Sequence, residues 1–225
     1  MGGNGVVIVG AGSSTRMGGI DKVFAPLAGL PLVAHALLAA TRCREVQYIV
    51  LVVAGDRLAE VRTSLPAAAL GKLVAVVAGG ARRQDSVVAG LAALPETGYV
   101  AIHDAARPIV TSDLFSAGFA AARETGAAIA AVPVVDTLKR AALDGTIVET
   151  VPRERLWAVQ TPQVFRSGLL IAAHRAAAGD VTDDAMLVEA LGHPVHVFAG
   201  SPANLKVTTP DDLVVAEALI AARSR

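Results

Sequence analysis

The stretch VVIVGAGSSTRMGGIDK, residues 6–22, decides the fold of this chain. Four apolar β-forming residues run directly into a turn of small residues, in which one arginine and one lysine, Arg16 and Lys22, are placed. Small residues allow the backbone to approach a ligand closely. The two cations indicate that this ligand is negatively charged.

The turn matches neither of two familiar phosphate-binding motifs. Gly10-Ala11-Gly12 begins like a dinucleotide fingerprint, but Thr15 stands at its last glycine position, and no Gly-Lys-Ser/Thr completes a P-loop. Backbone N–H groups in such a turn form an anion nest, Arg16 can bind phosphate oxygens in a bidentate manner, and Lys22 adds a mobile charge. The pattern favours a triphosphate; an ordinary turn with two solvated cations is the alternative.

Short β-rich runs alternate with helical patterns along the rest of the chain. We predict strands over Val6–Val9, Tyr48–Ala54, Leu73–Val77, Tyr99–Ile102, Ala128–Pro133 and Val195–Phe198, and helices over 31–42, 56–65, 83–94 and 112–126. This alternation predicts an α/β fold with a doubly wound, mostly parallel sheet, as a single domain over residues 1–225. Ligands of such sheets bind beyond the carboxyl ends of the strands.

One segment, residues 136–156, interrupts the alternation. Two short strands, Thr137–Arg140 and Ile147–Val151, flank Asp144-Gly145, which is a strong hairpin-turn signal. The hairpin is either an extra ribbon on its own domain or a protruding arm that reaches a second subunit.

Composition excludes several classes of protein. The 225 residues are 53% hydrophobic, but no apolar run approaches the ~20 residues of a membrane span. Twenty basic and twenty acidic residues cancel, which argues against nucleic acid as a partner. Cys43 is the single cysteine, which excludes an internal disulfide and a cysteine-based zinc site. The first residues do not resemble a secretory signal, and we expect a cytoplasmic protein with a small polar ligand.

The stretch YVAIHDAARPIV, residues 99–110, ends a predicted strand at Asp104. This carboxylate can hold a ribose hydroxyl, a metal-bound water or a substrate hydroxyl, and Arg107 can neutralise a phosphate or orient Asp104. A local Asp–Arg pair is the alternative. For His103 we expect a core position.

Three further segments carry candidate residues. Gly79-Gly80 permits backbone contact with a base whose edge Ser86 can bind, although a plain helix start explains the same residues. Thr182 precedes two acidic residues, which helix capping also explains. Lys206 lies in an extended segment before a helix start at Thr209, and has no comparable structural explanation.

Taken in order, these segments resemble the 2-C-methyl-D-erythritol 4-phosphate cytidylyltransferase family over nearly the whole chain. The resemblance rests on AGSSTRMG…K, AGGARRQDSV, HDAARP, DTLKR, WAVQTPQVF, TDDA and NLKVTTPDDL. The first motif is shared with nucleotidyltransferases of the molybdenum cofactors, whereas HDAARP, TPQ and the Lys-Val-Thr ending are more specific.

The resemblance implies a Rossmann-like nucleotidyltransferase fold and a role for each matching residue. CTP binding falls to Ala11, Gly12, Arg16, Lys22, Gly80, Arg83, Ser86 and Asp104. The polyol phosphate is bound by Asp104, Arg107, Thr161, Thr182 and Lys206, with Thr137 and Arg153 contributed by the partner subunit of a homodimer formed through the arm. No protein ligand for a metal is implied.

The implied chemistry needs positioned cations rather than a covalent nucleophile. Arg16, Lys22, Arg153 and Lys206 are the predicted catalytic residues, with Mg²⁺ carried mainly by the CTP phosphates. A ribitol-5-phosphate cytidylyltransferase, or a non-catalytic nucleotide-binding sensor, is the alternative function.

Overall fold

The computed structural model describes residues 2–12 and 23–223. Its strands are β1 (Asn4–Gly10), β2 (Pro26–Leu27), β3 (Leu30–Pro31), β4 (Val46–Val53), β5 (Leu73–Ala78), β6 (Tyr99–Asp104), β7 (Ala127–Pro133), β8 (Leu138–Ala141), β9 (Ile147–Val151), β10 (Trp157–Arg166) and β11 (His196–Ala199). Its helices are α1 (Leu32–Arg42), α2 (Val61–Ser64), α3 (Arg83–Ala93), α4 (Ser112–Thr125), α5 (Ser167–Ala176), α6 (Asp184–Ala190) and α7 (Pro210–Arg223).

A seven-stranded sheet, ordered β11-β7-β10-β6-β1-β4-β5, organises the described chain. β10 is antiparallel to both of its neighbours, and the remaining neighbours pair in parallel. Apolar side chains of α1 and α4 pack on one face, and those of α3, α5 and α6 pack on the other. This arrangement confirms the predicted doubly wound, mostly parallel α/β fold.

All six predicted strands of the main sheet are present, with ends that differ by one or two residues. The central strands are recognisable from sequence because they are buried on both faces: Val6, Val7 and Ile8 are fully buried. The predicted helix start after Thr209 is also confirmed, since the backbone N–H of Asp212 donates to Thr209 Oγ1 and Asp212 Oδ2 accepts from the N–H of Thr209.

The sequence did not predict β10, although this strand lies between β6 and β7 in the sheet. Pro162 argues against a central strand because it cannot donate a hydrogen bond to a neighbour. In the structure the pairing of β10 with β7 shifts register between Val159 and Gln163, so that Pro162 falls within the irregularity. The strand therefore accommodates its proline at the interruption.

The helix predicted over 56–65 is wrong in extent. A 3₁₀ turn over Gly55–Arg57, the four-residue α2 and a second 3₁₀ turn over Ala67–Leu70 occupy this part of the chain. The hydroxyls of Thr63 and Ser64 both donate to the carbonyl of Glu60, and such local bonds compete with a regular helix. Pro66 then leaves Leu65 extended, which ends α2.

The predicted hairpin is present as β8 and β9, which pair with each other in a separate two-stranded sheet. Its apolar side chains are largely uncovered in the single chain: Leu143 at the turn is fully exposed, and Ile147 and Val148 of β9 are each about 60% exposed. Trp157, where β10 begins, is also exposed. Within residues 2–12 and 23–223, no helix has both the length and the apolar character that a bilayer crossing needs.

Candidate active site

The carboxyl ends of β1, β5 and β6 meet at one edge of the sheet and surround a cavity of about 280 Å³. We call it the glycine-lined cavity, because its wall includes Gly10, Gly12 and Gly80. Its lining also includes the predicted residues Ala11, Arg83, Ser86, Asp104 and Lys206. The structure thus brings together every described residue for which the sequence predicted CTP binding. Arg16 and Lys22 lie outside the described residues.

The turn after β5 requires glycine for steric reasons. A Cβ atom at Gly79 would lie 2.2 Å from the Cβ of Ala11, and one at Gly80 would lie 2.4 Å from the Cβ of Asp85. Ser86 is buried, and its hydroxyl accepts from the N–H of Gly80 and donates to the carbonyl of Arg82. Ser86 therefore holds the turn in place at the cavity wall.

A second cavity of about 200 Å³ adjoins the first. We call it the polar cavity; it is lined by Arg83, Asp104, Arg107, Val159, Gln160, Thr161, Gln163, Thr182, Asp183 and Lys206. Arg83, Asp104 and Lys206 line both cavities, so these three side chains form a shared wall. The polar cavity contains all the described residues predicted to bind the acceptor except the two on the arm.

The shared wall is an ion network centred on Asp104. Lys206 Nζ lies 2.7 Å from Asp104 Oδ2, and Arg83 Nε donates to Asp104 Oδ1 at 3.2 Å. Burial of the Asp104 carboxyl opposes its ionisation, but the charges of Arg83 and Lys206 outweigh burial and hold its pKa well below its usual range. Asp104 is therefore ionised at neutral pH and orients two cations at the boundary between the cavities.

Arg83 joins this network to a second carboxylate, that of Asp184. Its Nη1 donates to Asp184 Oδ2 at 2.7 Å, so the guanidinium spans Asp104 and Asp184. Burial lowers the pKa of Arg83, but the two carboxylates more than compensate and raise the pKa above its usual value. Arg83 remains charged in this environment.

The guanidinium of Arg107 donates to backbone carbonyls rather than forming the local Asp–Arg pair that the sequence offered as an alternative. Its Nη1 donates to the carbonyl of Asn204 at 2.8 Å and its Nη2 donates to the carbonyl of Val159 at 3.3 Å. Burial lowers the pKa of Arg107, an effect that Asp104 opposes. Arg107 thus ties β10 to the segment that carries Lys206.

Thr161 and His103 form a series of hydrogen bonds that ends at the backbone N–H of Asp104. His103 is fully buried, as predicted, and its Nε2 lies 3.2 Å from the carbonyl of Arg107, which requires a proton on that nitrogen. Burial lowers the pKa of His103 to about 4, so the ring is neutral and its Nδ1 accepts from the Thr161 hydroxyl at 3.0 Å. The same hydroxyl accepts the backbone N–H of Asp104.

The acidic residues after Thr182 have separate functions. Asp183 caps α6 by accepting the N–H of Met186, as the capping interpretation predicted, but Asp184 is buried and binds Arg83. Sequence reasoning missed Asp184 because a carboxylate in the first turn of a helix is normally explained by the helix dipole. It also missed Gln160, which lines the polar cavity, and Asn204, whose amide nitrogen donates to Gln160 Oε1.

The two residues predicted on the arm, Thr137 and Arg153, line neither cavity within the single chain. Arg153 is exposed, and its Nη1 donates to the carbonyl of Val135 at the base of the arm.

Fold and site together define the class of protein. The ligand site lies at the carboxyl edge of a doubly wound sheet, and it has a glycine turn and a cationic wall that faces a second cavity. Such a site is suited to the transfer of a nucleotidyl group from a nucleoside triphosphate to a second anionic substrate. This chain is a nucleotidyltransferase. The family model described as "IspD: 2-C-methyl-D-erythritol 4-phosphate cytidylyltransferase" matches residues 5–222. The chain belongs to that family.

Individual relatives agree with this assignment. The chain is 46% identical over 216 residues to the 2-C-methyl-D-erythritol 4-phosphate cytidylyltransferase of Dehalococcoides mccartyi strain 195, with 96% of this chain and 95% of the relative covered. It is 48% identical to the enzyme of the same name from Pelotomaculum thermopropionicum, over 96% of this chain and 94% of the relative.

Solved structures show the same architecture. The crystal structure of 4-diphosphocytidyl-2C-methyl-D-erythritol synthase from Anaerococcus prevotii superposes with a TM-score of 0.85 at 29% identity, covering 98% of this chain and 96% of that one. The 2-C-methyl-D-erythritol 4-phosphate cytidylyltransferase of Thermus thermophilus superposes with a TM-score of 0.78 at 34% identity, covering 96% of this chain and 98% of that one.

Proposed function

We propose that this chain transfers the cytidylyl group of CTP to 2-C-methyl-D-erythritol 4-phosphate. The products are 4-diphosphocytidyl-2-C-methyl-D-erythritol and pyrophosphate, in the non-mevalonate route to isoprenoids. Family membership supports the reaction. The observation that carries it is the wall of Arg83, Asp104 and Lys206 between two adjoining cavities, where two anionic substrates can meet.

In this reaction an oxygen of the acceptor's phosphate attacks the α-phosphorus of CTP. The bond from that phosphorus to the β-phosphate oxygen breaks, and pyrophosphate leaves in line. The attacking oxygen is already ionised, so the protein needs to bring two anions together and stabilise the charge that grows on the α-phosphoryl oxygens. Preorganised cations such as Lys206, already held by Asp104, suit that task.

Each predicted residue has a place in this proposal. CTP lies in the glycine-lined cavity against Ala11, Gly12, Gly80, Arg83, Ser86 and Asp104, with Arg16 and Lys22 on its phosphates. The acceptor lies in the polar cavity with Asp104, Arg107, Thr161, Thr182 and Lys206. Arg16, Lys22, Arg153 and Lys206 are the catalytic cations.

The side chains at the site fit a Mg²⁺ ion that is held by phosphate oxygens and water. Both carboxylate oxygens of Asp104 already face cations, and residues 2–12 and 23–223 hold no group of three or more His, Cys, Asp and Glu that is placed to bind a metal. Mg²⁺ retains several waters and needs few protein ligands. When bound, the ion would neutralise part of the triphosphate charge.

The arm supports a homodimer with shared active sites. A two-stranded ribbon is marginal alone, and the uncovered Leu143, Ile147 and Val148 need a partner surface. Thr137 and Arg153 line neither cavity of their own chain, which is the arrangement expected if they complete the partner's site. In this proposal residues 1–225 form one nucleotidyltransferase domain, residues 136–156 are its dimerisation arm, and the enzyme works in the cytoplasm.

Pyrophosphate release by the purified chain tests the function. CTP, ATP, GTP and UTP are each supplied with 2-C-methyl-D-erythritol 4-phosphate, and CTP is then supplied with ribitol 5-phosphate. We expect CTP to be preferred over ATP, GTP and UTP by several orders of magnitude, because a site whose polar groups are left unpaired by the wrong base discriminates strongly. With CTP, we expect 2-C-methyl-D-erythritol 4-phosphate to be preferred over ribitol 5-phosphate. Equal turnover with GTP, or preference for ribitol 5-phosphate, would contradict the proposal.

A further inference from the structure

His174 has a buried side chain with no part in the roles assigned above. It lies in the last turn of α5, and its side chain is 4% exposed. Its Nε2 is 2.9 Å from Asp184 Oδ1. A carboxylate oxygen can only accept a hydrogen bond. Nε2 of His174 therefore carries the ring proton and donates a hydrogen bond to Asp184.

Asp184 is held from several directions. Its side chain is 1% exposed, with Oδ1 facing His174 and Oδ2 facing Arg83. Its backbone N–H donates to Gln163 Oε1 at 3.2 Å, which fixes the start of α6. With one donor on each oxygen, the carboxylate plane has a single favourable orientation.

That orientation sets the position of Arg83. The guanidinium donates through Nη1 to Asp184 and through Nε to Asp104, so it is clamped between two carboxylates. Asp104 in turn binds Lys206. A continuous series of contacts therefore runs from His174, behind the site, to the wall between the two cavities.

We propose that His174 is a positioning residue for the transfer reaction. Its Nε2–H fixes the Asp184 carboxylate, which fixes the Arg83 guanidinium where the two substrates meet. Without this bond Asp184 can turn towards Arg83 with both oxygens and draw it away from Asp104. Misplacement of a charged group by about 1 Å is sufficient to cost about a hundredfold in rate. The inference rests on the proposed function.

Two polar substitutions of His174 distinguish this role from simple packing. The amide nitrogen of His174→Gln reaches the position of Nε2 and keeps a donor towards Asp184, whereas the amide of His174→Asn ends near the position of Nδ1 and falls short. We expect His174→Asn to lower kcat/KM for CTP by about 10- to 100-fold and His174→Gln to stay within about threefold of the parent. Arg175→Gln, an exposed neighbour on the same helix, is the matched control.

A mutant cycle with Arg83→Lys tests whether His174 acts through Arg83. If it does, His174→Asn has little further effect on kcat/KM in the Arg83→Lys background, since the group that it positions is already altered. Additive losses, equal losses in the Asn and Gln variants, or a lower melting temperature with unchanged kcat and KM would each overturn the proposal. Failure of the parent chain to release pyrophosphate from CTP would instead overturn the proposed function.

Discussion

The ammonium nitrogen of Lys206 lies 2.7 Å from Oδ2 of Asp104, at the boundary between the two cavities of the site. Lys206 lies in an extended segment after β11, and Asp104 is the last residue of β6. The two residues are 102 positions apart in the chain, and the folding of the sheet brings them into contact. The carboxylate holds the ammonium group in place before any substrate arrives. Such preorganisation lets a charge stabilise a transition state without first rearranging.

Lys206→Met should therefore impair catalysis more than folding. Methionine retains the length of the side chain but removes its charge, and we expect kcat to fall by roughly 10²–10³-fold, the scale for loss of one preorganised donor. Steady-state kinetics and thermal unfolding measure the two effects. Lys72→Met is the control, because Lys72 binds the carbonyl of Cys43 and lines neither cavity. An unchanged kcat in folded Lys206→Met would remove this residue from the mechanism.

Gly79→Ala should weaken CTP binding. Its new methyl group would lie 2.2 Å from the Cβ of Ala11 and 2.6 Å from Ser86 Oγ, so the turn that lines the cavity has to move. Overpacking of this kind costs about 1–3 kcal/mol, and because the CTP-bound turn bears this cost we expect KM for CTP to rise by about 5- to 150-fold. Gly168→Ala in α5, where an added Cβ meets nothing within 4 Å, should leave KM unchanged. A normal KM in Gly79→Ala would show that the turn is not part of the CTP site.

Two inactive variants should restore activity when mixed, if the arm completes the partner's site. Lys22→Ala and Arg153→Ala are each expected to lower kcat by roughly 10²-fold or more. In a mixed dimer one site takes Lys22 from one chain and Arg153 from the other and is intact, whereas the other site carries both defects. Activity should approach one working site per mixed dimer after subunit exchange.

A charged substitution on the arm tests whether the protein forms a dimer through this segment. Ile147→Glu should shift the protein towards monomers in analytical ultracentrifugation, because burying an unpaired carboxylate in an interface is costly. Val214→Glu, an exposed apolar position on α7, is the matched control. Mixed dimers that form and remain inactive would place Arg153 in its own subunit's site, and an active monomeric parent would exclude the shared-site proposal.

His103 should make the protein less stable in mild acid. Burial lowers its pKa from 6.5 to about 4, so between these values the unfolded chain binds a proton that the folded chain does not. The free energy of unfolding should consequently fall by about 2 kcal/mol between pH 7 and pH 5 from this group alone. Asp104 contributes little there, since a carboxyl with a lowered pKa loses its stabilising effect only as the pH falls below about 4.

Denaturant titrations of His103→Asn and of the parent at about pH 7 and about pH 5 measure how much His103 contributes to the pH dependence of stability. The variant is expected to be less stable at pH 7 but to show a flatter dependence on pH. His193→Asn alters an exposed histidine and should leave the dependence as it is in the parent. An equally steep dependence in His103→Asn would mean that another group titrates in this range.

The sequence by itself determined every strand of the main sheet except β10, the helices α1, α3 and α4, and the hairpin, because these depend on local patterns of apolar residues and turn signals. It also singled out Asp104, Arg83 and Lys206. Only the tertiary structure showed that these three residues form one wall between two cavities, since they come from three separate segments.

The tertiary structure also decided two features that local sequence patterns predict wrongly, the strand β10 and the contacts of Asp184. β10 is central despite Pro162, because a shift in register accommodates the missing N–H, and such a shift depends on the neighbouring strand. Asp184 looks like a helix-capping residue until Arg83 and His174 are placed beside it, 101 and 10 positions away. Contacts of this kind are set by how helices pack on the sheet, and no local pattern in the sequence encodes them.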